Sequence, residues 1–181
     1  MKNTRPYAQL SNLIEYQIAW FSGVLGAAHQ QEDLGAFLAF LIVARHLRMT
    51  RETVSEYKIV LSTLILGGLW ETLIIYLDMV RYEGPSHLSP APLWILMIWA
   101  AFGTTLNGCL AWLQQRYLLS ALLGAGLAPL AWYAGESLGA LKIQGGWVGY
   151  AVLAGGWALL MPLLAFLARY FRLHTQELPV R

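Results

Sequence analysis

Apolar residues in this chain gather into six runs separated by short polar breaks, at about 11–28, 34–47, 57–80, 92–113, 117–138 and 147–170. A helix needs about 20 such residues to cross a hydrocarbon core, and five of the runs approach or exceed that length. The second is the weakest: its uninterrupted apolar part stops at Ala44, ahead of Arg45, His46 and Arg48. It can span only if neighbouring helices tilt, the bilayer thins, or the arginines snorkel to the headgroups. Period-two alternation, which would announce strands, is absent, and a continuous helix is the only open-chain way to satisfy backbone groups in lipid. Pro85, Pro90 and Pro92 punctuate the link before the fourth run, and Gly145 with Gly146 opens the sixth. The pattern predicts an all-α integral membrane protein, a single transmembrane domain over 1–181 built as a six-transmembrane-helix bundle.

Charge gives that bundle an orientation. Only 12% of the 181 residues are charged and 57% are hydrophobic, against about 25% charged in a soluble domain. With the N-terminus inside, the cytoplasmic face receives Lys2, Arg5, Arg45, Arg48, Arg51, Lys58, Arg116, Arg169, Arg172 and Arg181. The outer face receives only Arg81 and Lys142. This positive-inside bias predicts both termini in the cytoplasm. It also supports the second span, because without it the basic linker 45–58 would lie outside. Glu32, Asp33, Glu83 and Glu136 collect on the outer side. Lys2, Arg5 and the Gly26-Ala27-Ala28 sequence are similar to the two ends of a secretory leader. Glu15 and Gln17 interrupt its apolar centre, however, so the first run is read as a retained helix. The net charge of +2 lies between the runs, unlike the basic stripe of a nucleic-acid binder, and no nucleic-acid partner is expected. One cysteine, Cys109, leaves no disulfide framework and no cysteine-rich metal site within the chain.

Ionisable residues within a span are costly and face the bundle interior, which makes each a site candidate. Glu71 leads. It follows Trp70 and lies roughly 21 Å along the third helix at about 1.5 Å per residue, in the outer half of the bilayer. Thr63, Gly67 and Asp78 share its face. Glu71, Asp78, Tyr133 and Glu136 therefore form an expected outer polar layer with His29 above it. Thr104 and Asn107 of the fourth run, with Glu15 of the first, form an expected inner layer through a Glu15–Asn107 contact. Of the eight tryptophans, Trp94 and Trp147 take belt positions at the outer boundary, while Trp20, Trp70, Trp99 and Trp157 fall inside. Buried indole N–H groups want acceptors. Glu71 thus reads either as a functional carboxylate in an outward-opening aromatic pocket or as a structural one held by hydroxyls and indoles. Small residues recur four apart at Ala19, Gly23 and Ala27, at Ala131, Gly135 and Gly139, at Gly145 and Gly149, and at Ala151 and Gly155. Such rows let helices approach closely, and Pro129 and Pro162 should kink the fifth and sixth helices. No phosphate loop or His-Glu-x-x-His helix occurs, the four histidines are scattered, and neither a metal nor a cofactor is expected.

The run Thr104-Thr105-Leu106-Asn107 is followed by Ala111-Trp112-Leu113. Then come Gly126-Leu127-Ala128-Pro129-Leu130-Ala131-Trp132-Tyr133-Ala134-Gly135 and Leu138-Gly139-Ala140. With the 70–78 stretch, these motifs resemble a family of small bacterial inner-membrane proteins of unknown function. The likeness covers nearly the whole chain. Genes of that family often lie beside genes resembling cyclopropane-fatty-acid synthases and other membrane-lipid modifiers. The resemblance implies a bacterial inner-membrane location and a context of fatty-acyl modification, as accessory or enzyme, and it transfers no active site. The residues alone leave three classes level. One is that lipid role. The second is a small-molecule-binding or transport subunit, because six helices with an outer aromatic–carboxylate cluster resemble the substrate-binding components of vitamin transporters. The third is a scaffold that docks a membrane-protein partner or a second copy through its small-residue faces.

Overall fold

The computed structural model describes residues 6–50, 53–84 and 91–176. Lys2, Arg5, Arg51, Arg181, Pro85 and Pro90, which enter the charge and punctuation reading, lie outside the described residues. Six long helices carry the fold: α1 (Pro6–Ala28), α2 (Glu32–Met49), α3 (Thr53–Tyr76), α4 (Leu93–Leu106), α5 (Tyr117–Ser137) and α6 (Trp147–Gln176). Three stretches are long and apolar enough to cross a membrane, Val54–Tyr76, Tyr117–Ser137 and Trp147–Thr175, and α4 is a shorter apolar helix. The exterior carries many large apolar side chains: Phe40, Leu69, Leu122 and Leu159 are all exposed. Soluble monomers avoid large contiguous surfaces of this kind. Together these features suggest a membrane protein.

Successive helices run back and forth, so the bundle has two ends. At the terminal end, Glu15 of α1 forms an ion pair with Arg45 of α2. There His46 Nε2 also lies 3.2 Å from Glu56 Oε2 of α3, and the Lys58 ammonium sits 5.9 Å over the Phe171 ring of α6. At the opposite end, α1, α3 and α5 all stop by one device. The residues after the last turn, Gln30, Asp78 and Gly139, have φ of 57°, 52° and 87°. The following N–H then reaches back five residues, Gln31 to the Gly26 carbonyl (2.7 Å), Met79 to Ile74 (2.8 Å) and Ala140 to Gly135 (3.0 Å). This is the Schellman closure, which satisfies carbonyls the helix leaves open. It ends α3 at Tyr76, short of the expected residue 80.

Two short strands join this end. β1 (Val80–Tyr82) and β2 (Leu141–Ile143) pair antiparallel, with Val80 opposite Ile143 and Tyr82 opposite Leu141. The pair extends through Glu83 N–H to the Ala140 carbonyl (2.9 Å) and Gln144 N–H to the Met79 carbonyl (2.8 Å). The helices are joined by this one ribbon, which the sequence did not announce, since three-residue strands are too short to leave an alternation. Its buried Val80, Leu141 and Ile143 cap the core.

α4 is the central helix. It packs on α1, α2 and α3, and eleven of its fourteen residues are buried. It ends at Leu106 instead of continuing to the expected residue 113, and the chain turns through a short 3-10 segment at Ala111–Leu113. Buried amides make this break tolerable. Asn12 of α1 donates Nδ2 to the Thr104 carbonyl (3.3 Å) and accepts the Cys109 N–H (3.0 Å). Gln114 donates Nε2 to the Leu106 carbonyl and to Asn107 Oδ1, each at 2.8 Å. Irregular backbone away from water persists only where protein groups satisfy it in this way.

Candidate functional site

Glu71 is fully buried on α3, and three aromatic residues from three other elements converge on it. Trp99 Nε1 of α4 donates to Oε1 at 2.7 Å. The Tyr82 hydroxyl of β1 donates to Oε2, and Trp132 Nε1 of α5 donates in turn to the Tyr82 oxygen at 2.9 Å. Burial first, and then the neighbouring Glu71, push the Tyr82 phenol well above its ordinary value, which keeps it a neutral donor. The two carboxyl oxygens thus each face a donor, and the chain of hydrogen bonds ties α3, α4 and α5 to the ribbon. Gly67, one turn before Glu71, leaves the space in which the Trp99 ring lies.

On the far side of these indoles lies an elongated cavity of about 480 Å³, within the range of small-ligand sites. Tyr16, Trp20 and Val24 of α1 form one wall, and Gly124, Ala128 and Ala131 of α5 form the other. The floor is aromatic: Trp99 stacks on Trp157 at 4.8 Å, Trp132 meets Trp157 at 5.9 Å, and Phe102 bridges Trp157 (5.3 Å) and Tyr16 (5.8 Å). Lining residues run from Trp94 and Leu141 at the ribbon end to Thr105, Cys109 and Leu113 at the terminal end, the whole length of α4. Among the long helices α5 packs substantially only on α6, while α1 packs on α2 and α4. The cavity is therefore a groove with its long side open between α1 and α5. Its rim carries Leu13, Leu127 and Leu130, which are 41%, 59% and 61% exposed.

Glu71, Asp78, Trp70, Tyr133, Thr104, Asn107, Glu136 and His29 do not line this groove, whereas Trp20, Trp99 and Trp157, also expected inside, do. Glu71 touches its wall only through Trp99 and, by way of Tyr82, Trp132. Asp78 is exposed and paired with Arg81 Nε at 3.2 Å. Glu136 clamps the ribbon, accepting the Ile143 N–H (3.0 Å) and the Tyr150 hydroxyl (3.1 Å). Tyr133 points outward and is exposed, and His29 is exposed with Nδ1 2.8 Å from the Leu25 carbonyl. The structure does not bring Glu71, Asp78, Tyr133 and Glu136 into one layer. The Thr104 hydroxyl bonds back to the Ala101 carbonyl (2.7 Å). The Glu15–Asn107 contact is replaced by Glu15–Arg45, Asn107–Gln114 and the Asn12 bridge. Trp70 packs over Gly156, and its Nε1 has no partner among the described residues. Trp94 is buried and donates to the Glu83 carbonyl (3.0 Å) instead of sitting in a boundary belt. The residues missed were Asn12, Tyr82 and Gln114, and all three lie in or beside predicted breaks, where polar residues draw no notice. Among the described residues no cluster of His, Cys, Asp and Glu could hold a metal ion.

No curated protein and no solved structure matches the chain significantly. A family model, described as a protein of unknown function (DUF2878), matches residues 9–163. With most of its length so covered, the chain belongs to the DUF2878 family of unknown function.

Proposed function

We propose that this chain is a six-span protein of the bacterial inner membrane, with both termini cytoplasmic, that holds a lipid acyl chain as an accessory to fatty-acyl modification of membrane lipids. The observation that carries the reading is the groove: long, narrow, floored by stacked aromatic rings, and rimmed by leucines on its open side. An opening edged with leucine favours entry from lipid over entry from water. The polar lining groups are too few to hold a vitamin-like metabolite, which needs several placed donors and acceptors. A scaffold reading is weakened at the α1 row, where Ala19 and Ala27 are buried and Gly23 lies against Trp94 and Ile98 inside the bundle.

Six spans fit the back-and-forth course of the helices, including α2 with its terminal Arg45 and Arg48 and the short, protein-shielded α4. The lipid context rests on the family resemblance, and the groove supports it with no chemistry of its own. Mass spectrometry of protein purified in a mild detergent tests the binding. The expected result is a co-purifying acyl lipid, lost from Ala131→Trp, which fills the groove, while the thermal midpoint of that variant stays near the parent's. Equal lipid in both proteins would overturn the groove as the site. Deleting the gene is expected to change the acyl composition of the membrane lipids, and an unchanged profile in every growth phase would count against the modification role.

A further inference from the structure

Resting on that reading of the groove, we infer that it takes one chain of an anionic phospholipid, with the headgroup at the terminal end of the bundle and the chain methyl toward the ribbon. Apart from the floor indoles, of which Trp157 Nε1 has no partner among the described residues, the polar lining groups lie toward one end. Tyr16 and Gln17, midway along α1, lie on the terminal side of the groove with Thr105 and Cys109, where α4 finishes, whereas the ribbon end is formed by residues such as Val24, Ile95 and Leu141. Trp94, also at the ribbon end, has its N–H committed to the Glu83 carbonyl. The Tyr16 hydroxyl and the Gln17 amide make no hydrogen bond with the described residues. The Thr105 hydroxyl donates to the Phe102 carbonyl at 2.6 Å, which leaves its oxygen free to accept.

Beyond these groups the mouth carries a cation. Arg116 N–H bonds to the carbonyl of Leu113, a lining residue, at 2.9 Å. The Arg116 guanidinium is exposed, lies 5.7 Å over the Trp112 ring, and forms no ion pair among the described residues. Glu15, the carboxylate next to Tyr16, is neutralised by Arg45. Free donors, a free acceptor and an unpaired guanidinium suit ester carbonyls and a phosphate, and the apolar remainder suits a hydrocarbon tail. The groove's volume fits one chain, and its open side leaves the second chain in the bilayer, so a two-chain lipid needs no larger cavity. With the termini cytoplasmic, the lipid comes from the cytoplasmic leaflet.

Full-length protein in nanodiscs containing phosphatidylglycerol tests this, with a diazirine placed either next to the ester of one chain or next to its terminal methyl. The ester-proximal probe is expected to label peptides 13–20 and 105–113, and the terminal probe peptides 94–98 and 128–135. Arg116→Glu, an exposed change, is expected to lower labelling by about fivefold or more, with Arg116→Lys near the parent. Exchanged or indistinguishable labelling patterns would overturn the orientation while leaving the groove an acyl site. Phosphatidylcholine labelling as strongly as phosphatidylglycerol would overturn the anionic headgroup, and displacement by equimolar free fatty acid would overturn the phospholipid. Absence of label from all four groove peptides with both probes would remove the acyl-chain reading itself.

Discussion

Glu71 is the costliest side chain in the core, and its surroundings answer that cost atom by atom. One oxygen faces the Trp99 indole and the other the Tyr82 hydroxyl, which itself receives Trp132 Nε1. Hydrogen bonds in a dry interior are strong, and a partner left without one there is expensive. Tyr82→Phe keeps the ring, its edge contact with Trp94 at 5.6 Å and the packing, but it orphans Glu71 Oε2 and Trp132 Nε1 together. Each buried orphan costs about 1–3 kcal/mol, so a clear drop in thermal midpoint in detergent is expected. Glu71→Gln can still accept from Trp99 but must turn its NH2 toward Tyr82, so it should cost less than the loss of both bonds. The double variant should show a coupling of about 0.5–3 kcal/mol. Strict additivity of the two changes would mean that the hydroxyl–carboxyl bond contributes nothing. Because Glu71 stands behind the indole wall, these variants are expected to lose stability and yet retain lipid. Loss of lipid from a still-folded Tyr82→Phe protein would return the carboxyl to the ligand site.

At the scale of elements, the apolar runs announced the helices because burial in lipid or protein demands uninterrupted hydrocarbon over a span. The close approaches were also legible in kind: Gly23 lies against Trp94 and Ile98, and Gly103 against Val60. What stayed hidden was set by partners distant in sequence. The break after Leu106 depends on Asn12, some ninety positions earlier, and the ribbon depends on two loops whose residues are individually unremarkable. The Glu71 site was half legible. Its burial and its indole and hydroxyl partners as a class follow from the spacing, but Tyr82 sits in a loop that gave no reason to fold inward. Glycine spacing likewise could not say which glycines are filled, and the structure separates them. At Gly67 a methyl group would meet the inner atoms of the Trp99 ring, which the Glu71 bond and the Trp157 stack hold in place, while at Gly155 it would meet nothing within 4 Å. Gly67→Ala is therefore expected to destabilise by about 1–3 kcal/mol. Gly155→Ala should be neutral or stabilising by up to about 1 kcal/mol through helix propensity. Urea or thermal unfolding of the two variants in the same detergent checks the pair, and equal effects would deny that Trp99 is locked.

For the whole molecule the two ends differ in kind, and that difference makes orientation testable. The ribbon end is tied by backbone: three helix closures, one antiparallel pair and the Glu136 clamp. The terminal end is tied by charged and amide side chains, with Arg45, His46 and Lys58 among them. Basic groups held at one end are what the positive-inside rule places in the cytoplasm, and an end closed by its own backbone needs little from the solvent it faces. The six-span reading therefore requires Lys142 and Gln115, both exposed, to lie on opposite sides of the membrane. Cys109 is the one native cysteine, so a Cys109→Ala background offers a clean start for labelling. Lys142→Cys in that background is expected to react with an impermeant maleimide on intact spheroplasts. Gln115→Cys should react only after lysis. A reversed result would turn the bundle over and, with it, assign the groove's polar mouth to the other leaflet. Reaction of both sites in intact spheroplasts would mean that no segment, or an even number of them, crosses between the two positions. The 117–137 helix lies between the two positions, so its failure to span would break the six-helix topology at one named element.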